Sequence, residues 1–188
     1  MLHVFRFAKN GILGFRSRLK TQGWRSALIW LFGHGIPKLT GVPVAKYSQI
    51  TPQIYVGAQV NKIGKQKLAF WGINGSVNMR IEYDDAAHDV AFTHHCYLPT
   101  DDGHAPTLTQ LQTGIAFIRQ RVTAGNKVYI HCRSGIGRAP TMAAAYFMSQ
   151  GYTLSEAVNL IEKARPFIRL TSRQIDQLHQ FAARKKTA

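Results

Sequence analysis

The stretch Val128–Thr141, Val-Tyr-Ile-His-Cys-Arg-Ser-Gly-Ile-Gly-Arg-Ala-Pro-Thr, constrains this chain more than any other. Val128 to Ile130 are β-branched and aromatic and follow the polar pair Gly125-Asn126, the pattern of a short buried strand. From Arg138 the spacing turns helical through Met142, Ala145, Tyr146 and Phe147 and stops at Gly151. Cys132 and Arg138 bracket the connection, with Gly135 and Gly137 inside it. A five-residue loop ahead of a helix can turn several N–H groups toward one centre, and the helix N-terminus adds partial positive charge. Glycines supply the positive φ angles and close approaches that such a nest requires.

The nest is shaped for a dianionic phosphate. Arg133, Ser134, Gly135, Ile136, Gly137 and Arg138 supply the amides, and the Arg138 guanidinium supplies a bidentate clamp. Cys132 sits at the bottom, in the kind of electropositive setting that favours a thiolate. A thiolate beneath a bound phosphoryl group is a nucleophile in position.

His131-Cys132-x5-Arg138 resembles the phosphate loop of the cysteine-dependent protein tyrosine and dual-specificity phosphatases. The resemblance implies a phosphatase that forms a cysteinyl-phosphate, uses no metal or organic cofactor, and has His131 orienting the cysteine. A buried strand-end cysteine near an unrelated arginine is the plain alternative; it leaves the strand, the histidine, both glycines and the helix unexplained.

Such chemistry needs an acid for the departing oxygen. In dual-specificity phosphatases it is an Asp on a loop about thirty residues before the cysteine. Asp102 lies thirty residues before Cys132 and Asp101 thirty-one, so spacing does not choose between them. The string Pro99-Thr-Asp-Asp-Gly-His-Ala-Pro106 resembles the acid loop of the phosphatases of regenerating liver, where the second Asp is the acid; this implies Asp102, with Asp101 as a turn residue. Arg138-Ala-Pro resembles the same group and departs from the wider pattern, in which Ser or Thr follows the arginine and bonds the leaving thiolate. Ala139 cannot do so, although Thr141, one turn on, offers another hydroxyl. Asn78-Met-x-x-Glu82-Tyr83-Asp84 and Ala164-Arg-Pro-Phe-Ile-Arg-Leu-Thr-Ser-Arg-Gln174 are similar to segments of phosphatidylglycerophosphate phosphatases.

Charge is uneven. The net charge is +15, and no Asp or Glu precedes Glu82, while residues 1–81 hold twelve Lys or Arg. Residues 1–40 read as a basic amphipathic arm: Phe15, Leu19, Trp24, Leu28, Leu31 and Phe32 recur near helical spacing among Arg16, Arg18, Lys20 and Arg25. The pattern suits a helix lying on an anionic membrane and, equally, one packed on the catalytic core. The Arg-rich start also resembles a transit peptide, though serine is sparse. Two cysteines give no disulfide framework and point to a reducing, cytoplasmic setting, with the arm as a route to peripheral membrane contact. No apolar run reaches the roughly 18 residues of a membrane span.

Along residues 41–188, strands are expected at 54–56, 76–79, 92–98 and 128–130, and a helix at 59–71. Further helices are announced by the caps Thr107-x-x-Gln110, Thr153-x-x-Glu156 and Thr171-x-x-Gln174. Adjacent His94 and His95 in a strand face opposite ways, which argues against a shared metal ion. The fold expected is α/β, a central mixed sheet flanked by helices, dual-specificity phosphatase-like, preceded by the helical arm. The expected substrate is a phosphorylated protein; the alternative is a phospholipid headgroup at a membrane. A third reading, from Ala139, is a slow or inactive phosphate-binding module. No interleaved aromatic and basic platform for nucleic acid is present, and no nucleic-acid partner is expected.

Overall fold

The computed structural model describes residues 47–187, so the arm expected at 1–40 lies outside the described residues. Five strands form one sheet in the order β1-β2-β5-β3-β4: β1 Tyr47–Gln49, β2 Ile54–Ala58, β3 Ile73–Arg80, β4 His94–Thr100 and β5 Lys127–Cys132. β1 is antiparallel to β2 and the remaining pairs are parallel, which makes the sheet mixed as expected. The helices are α1 Lys62–Phe70, α2 Leu108–Thr123, α3 Arg138–Ser149, α4 Leu154–Ala164 and α5 Ser172–Thr187. The sequence pattern missed β1, whose three residues carry no alternation, and set β4 two residues too early. It also began α1 too soon, because Asn61 is the residue whose side chain accepts the Gly64 N–H and starts the helix.

Strand periodicity divides the core. Ile54, Val56, Val77, Val128 and Ile130 face α2–α5 and join Leu111, Ile118, Met142 and Ile161 in the larger cluster. Tyr55, Ile73 and Tyr129 face the other way and pack with Leu68 of α1 and Phe92. Successive strand residues alternate faces. Hence Cys132 falls on the large-core side of β5, while His131 stacks on Tyr129, two residues earlier, at 5.3 Å.

α3 is buried from Arg138 to Met148, the signature of a helix enclosed on all sides. Its apolar circumference requires α2, α4 and α5 around it, and these helices begin where the caps announce them. Thr107 and Gln110 form a reciprocal capping box, as do Thr153 and Glu156. Thr171 N donates to Gln174 Oε1 at 3.0 Å and Gln174 N to Thr171 Oγ1 at 3.3 Å. Replacing Thr107 by Ala removes one such acceptor; urea unfolding should show a loss of about 1 kcal/mol, with the fold intact by circular dichroism.

Candidate active site

Parallel strands deliver their C-terminal ends to one edge of the sheet, the usual place for a ligand site. Here that edge gathers Gln59 after β2, Arg80–Asp85 after β3, Asp101–Pro106 after β4, and Cys132 at the end of β5. The loop from Arg133 to Gly137 then curls into α3. Gly135 has φ 65°, and its N–H donates to Cys132 Sγ at 3.2 Å. A Cβ at Gly135 would lie 2.5 Å from the carbonyl carbon and oxygen of Gly57. Both glycine arguments, positive φ and close approach, therefore apply at this residue. Gly137 differs from expectation: its φ is −121°, and a Cβ there would meet the Gln174 side chain at 3.0 Å. Close approach alone accounts for it.

Arg138 is 1% exposed, and a guanidinium cannot shed its charge. Three of its five N–H groups donate to protein acceptors within 2.9 Å. Nη1 donates to Glu82 Oε2 and to the Thr100 carbonyl, each at 2.8 Å. Nη2 donates to Glu82 Oε1 at 2.9 Å and lies 3.1 Å from Asp102 Oδ1. Nε, buried, has no hydrogen-bond partner among the described residues. Glu82 thus grips the Nη1/Nη2 edge of the guanidinium in fork–fork fashion, Asp102 lies against Nη2, and Nε is the donor left unpaired among the described residues. The Arg138 hydrogen bonds hold the Glu82 carboxyl down from 4.5 to about 2; burial opposes this, and Arg80 assists. Burial also works against the Arg138 charge, but Glu82, Cys132 and Asp102 outweigh it and raise its pKa.

Asp102 reaches the site and Asp101 does not pair there. The Asp102 side chain is 69% exposed with one oxygen on Arg138. The Asp101 carbonyl accepts the His104 N–H at 3.1 Å, a turn role. This loop is fastened to α5: Thr171 Oγ1 donates to Gly103 O at 3.1 Å and Gln174 Nε2 to His104 O at 2.9 Å. His131, fully buried, places Nε2 2.7 Å from Asp85 Oδ2. Thr141 does not offer its hydroxyl to the cysteine: Oγ1 bonds the Gly137 carbonyl at 2.9 Å. Ala139 is fully buried. Cys96 stands apart on β4, its thiol pushed up to about 11 by burial.

Residues 54–184, more than half of the chain, match the family model described as dual specificity phosphatase, catalytic domain. The chain belongs to that family. It is 28% identical over 145 residues to the Homo sapiens phosphatidylglycerophosphatase and protein-tyrosine phosphatase 1, covering 72% of each. It is also 28% identical over 135 residues to Homo sapiens dual specificity protein phosphatase 5; these are 71% of this chain and 35% of that protein, so it spans about a third of the second relative. The structure of PTPMT1 in complex with PI(5)P superposes with a TM-score of 0.69 at 26% identity, over 76% of this chain and 99% of that one.

Two contributors to this dual-specificity phosphatase site have no role in the sequence reading. Glu82 stood only in a segment of lipid-phosphatase resemblance, and so did Arg165. Arg165 is fully buried beneath the loop; Nε donates to Gly135 O at 2.6 Å and Nη2 to Ser134 O at 2.9 Å. Burial lowers its pKa to about 10, with Tyr129 and Cys132 acting in the other direction. A charged residue in a segment otherwise matched only by resemblance was the available signal; the partners are 56 and 30 residues away from their arginine-binding positions and leave no local pattern.

The Glu82 shift sets a sign. Its folded pKa lies below its ordinary value, so its contribution to stability is complete above about pH 4.5 and disappears as pH falls through about 2. In urea titrations the stability gap between wild type and Glu82→Gln should be constant from pH 5 to 7 and close progressively in acid. A gap unchanged down to pH 2 would show that the Glu82 charge is not what matters.

Proposed function

We propose that the chain hydrolyses phosphate monoesters on phosphorylated proteins through a cysteinyl-phosphate. The observation that carries this reading is the convergence of Cys132, Arg138 with its unpaired Nε, and the Asp102 carboxyl on one loop. Cys132 Sγ attacks phosphorus; the S–P bond forms as the P–O bond to the leaving group breaks, and Asp102 gives that oxygen its proton. The amides of residues 133–138 and the Nε/Nη2 edge of Arg138 bind the equatorial oxygens, where charge must be stabilised. Asp102, now a carboxylate, takes a proton from water. The water oxygen attacks phosphorus, the S–P bond breaks, and the thiolate and inorganic phosphate are restored. His131, with Nε2 2.7 Å from Asp85 Oδ2, orients the end of β5 and hence the cysteine.

A second reading, a phospholipid headgroup as substrate, has its own support. The relative matched over 72% of its length is named for both lipid and protein activity, and PTPMT1 was solved with PI(5)P. The basic arm of residues 1–40 fits this reading as a peripheral anchor on anionic lipid. Among the described residues no helix is long and apolar enough to cross a membrane. Rates on phosphotyrosine, phosphoserine and phosphothreonine peptides, set against phosphoinositide and phosphatidylglycerophosphate in anionic vesicles, decide between the two. A preference for vesicles that is lost on deleting residues 1–40, with aryl phosphate hydrolysis retained, would establish the lipid reading.

Asp102→Asn should lower turnover by roughly 10²–10⁴-fold on substrates with poor leaving groups, and Asp101→Asn far less. A good leaving group should mask the loss. Cys132→Ser should abolish turnover; wild-type rates in that variant would end the mechanism.

Ala139 bears on the second step. With no hydroxyl at 139, and that of Thr141 committed to Gly137, breakdown of the cysteinyl-phosphate should limit turnover. Rapid mixing should show a burst of leaving group, and Ala139→Ser should shrink the burst and raise the steady state on the order of tenfold, the worth of a hydrogen bond to a charged group. No burst and no gain would place the slow step elsewhere.

A further inference from the structure

Cys132 and Arg138 are held by residues on opposite sides of the loop, and the two supports meet. Behind the cysteine, His131 Nε2 contacts Asp85 Oδ2 at 2.7 Å. The other oxygen, Asp85 Oδ1, accepts from Gln59 Nε2 at 2.8 Å. Gln59 Oε1 accepts from Arg80 Nη1 at 3.1 Å. Arg80 Nε donates to Glu82 Oε1 at 3.0 Å, the oxygen that also receives Arg138 Nη2. The run His131–Asp85–Gln59–Arg80–Glu82–Arg138 is unbroken, with no link longer than 3.1 Å. Gln59 also touches the loop itself, its N–H donating to the Arg133 carbonyl at 3.3 Å.

We propose that Gln59, Arg80 and Asp85 are positioning residues, a polar strut that fixes Glu82 and through it the orientation of Arg138. The inference rests on the phosphatase reading of the site. Glu82 is partly exposed, its side chain 34% accessible, and stands just after the end of β3. Arg80 is what pins its shared oxygen, and Arg80 is in turn held by Gln59 and stacked over the Tyr83 ring at 4.9 Å. Fully buried Asn78 steadies the same turn, donating to Tyr83 O at 2.7 Å and accepting from Arg80 N at 2.9 Å.

The amide makes the strut directional. Asp85 only accepts and Arg80 only donates, so Gln59 has one satisfactory orientation between them. An Asn at 85 that keeps its oxygen on His131 would present an NH2 to Gln59 Nε2. Turning Gln59 over to relieve this would set its NH2 against the Arg80 guanidinium. A change behind the cysteine is thereby passed to the arginine clamp without any shift of the sheet. Such contiguous polar groups couple beyond the sum of their parts.

The test is a double-mutant cycle read by tungstate binding in calorimetry, with kcat and KM on an aryl phosphate and urea unfolding alongside. The variants are Gln59→Leu, Arg80→Met, Asp85→Asn and the Arg80→Met/Asp85→Asn pair. Each single change should weaken tungstate binding about fivefold, and the pair should lose little more than either alone, because breaking the strut at either end frees the same Glu82. Additive losses, or lowered stability with unchanged tungstate affinity, overturn the proposal. Should Asp85→Asn fail to fold, the half-buried Gln59→Leu and Arg80→Met and their pair give the same cycle. Wild type without aryl phosphatase activity refutes the functional reading; the tungstate cycle, independent of turnover, still decides the strut.

Discussion

The burial of the Arg138 charge is the condition on which the rest of the site depends. An isolated cation taken out of water costs several kcal/mol even after relaxation, and removing one partner of a buried pair costs about 3–5 kcal/mol. The fold therefore has to bring acceptors to the first residue of α3. It does so from β3 and β4, with Glu82 across Nη1 and Nη2 and the Thr100 carbonyl on Nη1. The sheet order β5-β3-β4 follows this need closely: the strand carrying the cysteine lies next to the one that leads to Glu82, with the strand that leads to Asp102 beyond. With these acceptors in place, Nε is the one Arg138 donor that has no hydrogen-bond partner among the described residues.

The loop between Cys132 and Arg138 is held from three directions as well. β2 presses Gly57 against Gly135, leaving no room for a side chain. Arg165 grips the Ser134 and Gly135 carbonyls, with neutral oxygens as its hydrogen-bond partners among the described residues. The Arg169 N–H donates to the Ile136 carbonyl at 2.8 Å, and Gln174 closes on Gly137. Pulling carbonyls outward turns N–H groups inward, which is how a nest acquires its anion-binding face. The same Gln174 fastens the Asp102 loop through His104, so that loop and the Cys132–Arg138 loop share one support at the start of α5.

The acidic residues are few and concentrated. Six of the nine lie between residues 82 and 102, and three of them, Glu82, Asp85 and Asp102, contact Arg138 or His131. In a chain of net charge +15 this makes the catalytic edge of the sheet a local exception to a strongly basic protein. Glu82 and Asp102 there are paired with Arg138, while the excess positive charge of the chain can attract anionic surfaces or substrates over longer range.

What the sequence alone determined is what is local in the chain. The strand–Cys-x5-Arg–helix string carries its own geometry over a dozen residues, and capping boxes act within four, so Cys132, Arg138, the loop amides and the starts of α2, α4 and α5 were legible. The resemblance of Pro99–Pro106 chose Asp102 over Asp101, and the tertiary structure places Asp102 on Arg138. What only that structure decided is which distant groups pay the cost of burying charge: Glu82 on Arg138, Asp85 on His131, and backbone oxygens on Arg165. Those pairings join residues that the chain separates by 30 to 56 positions, and their geometry follows from strand order and register, which periodicity does not encode. The same holds for the two glycines. Identical in sequence terms, they answer to different neighbours, Gly57 backbone for one and the Gln174 side chain for the other.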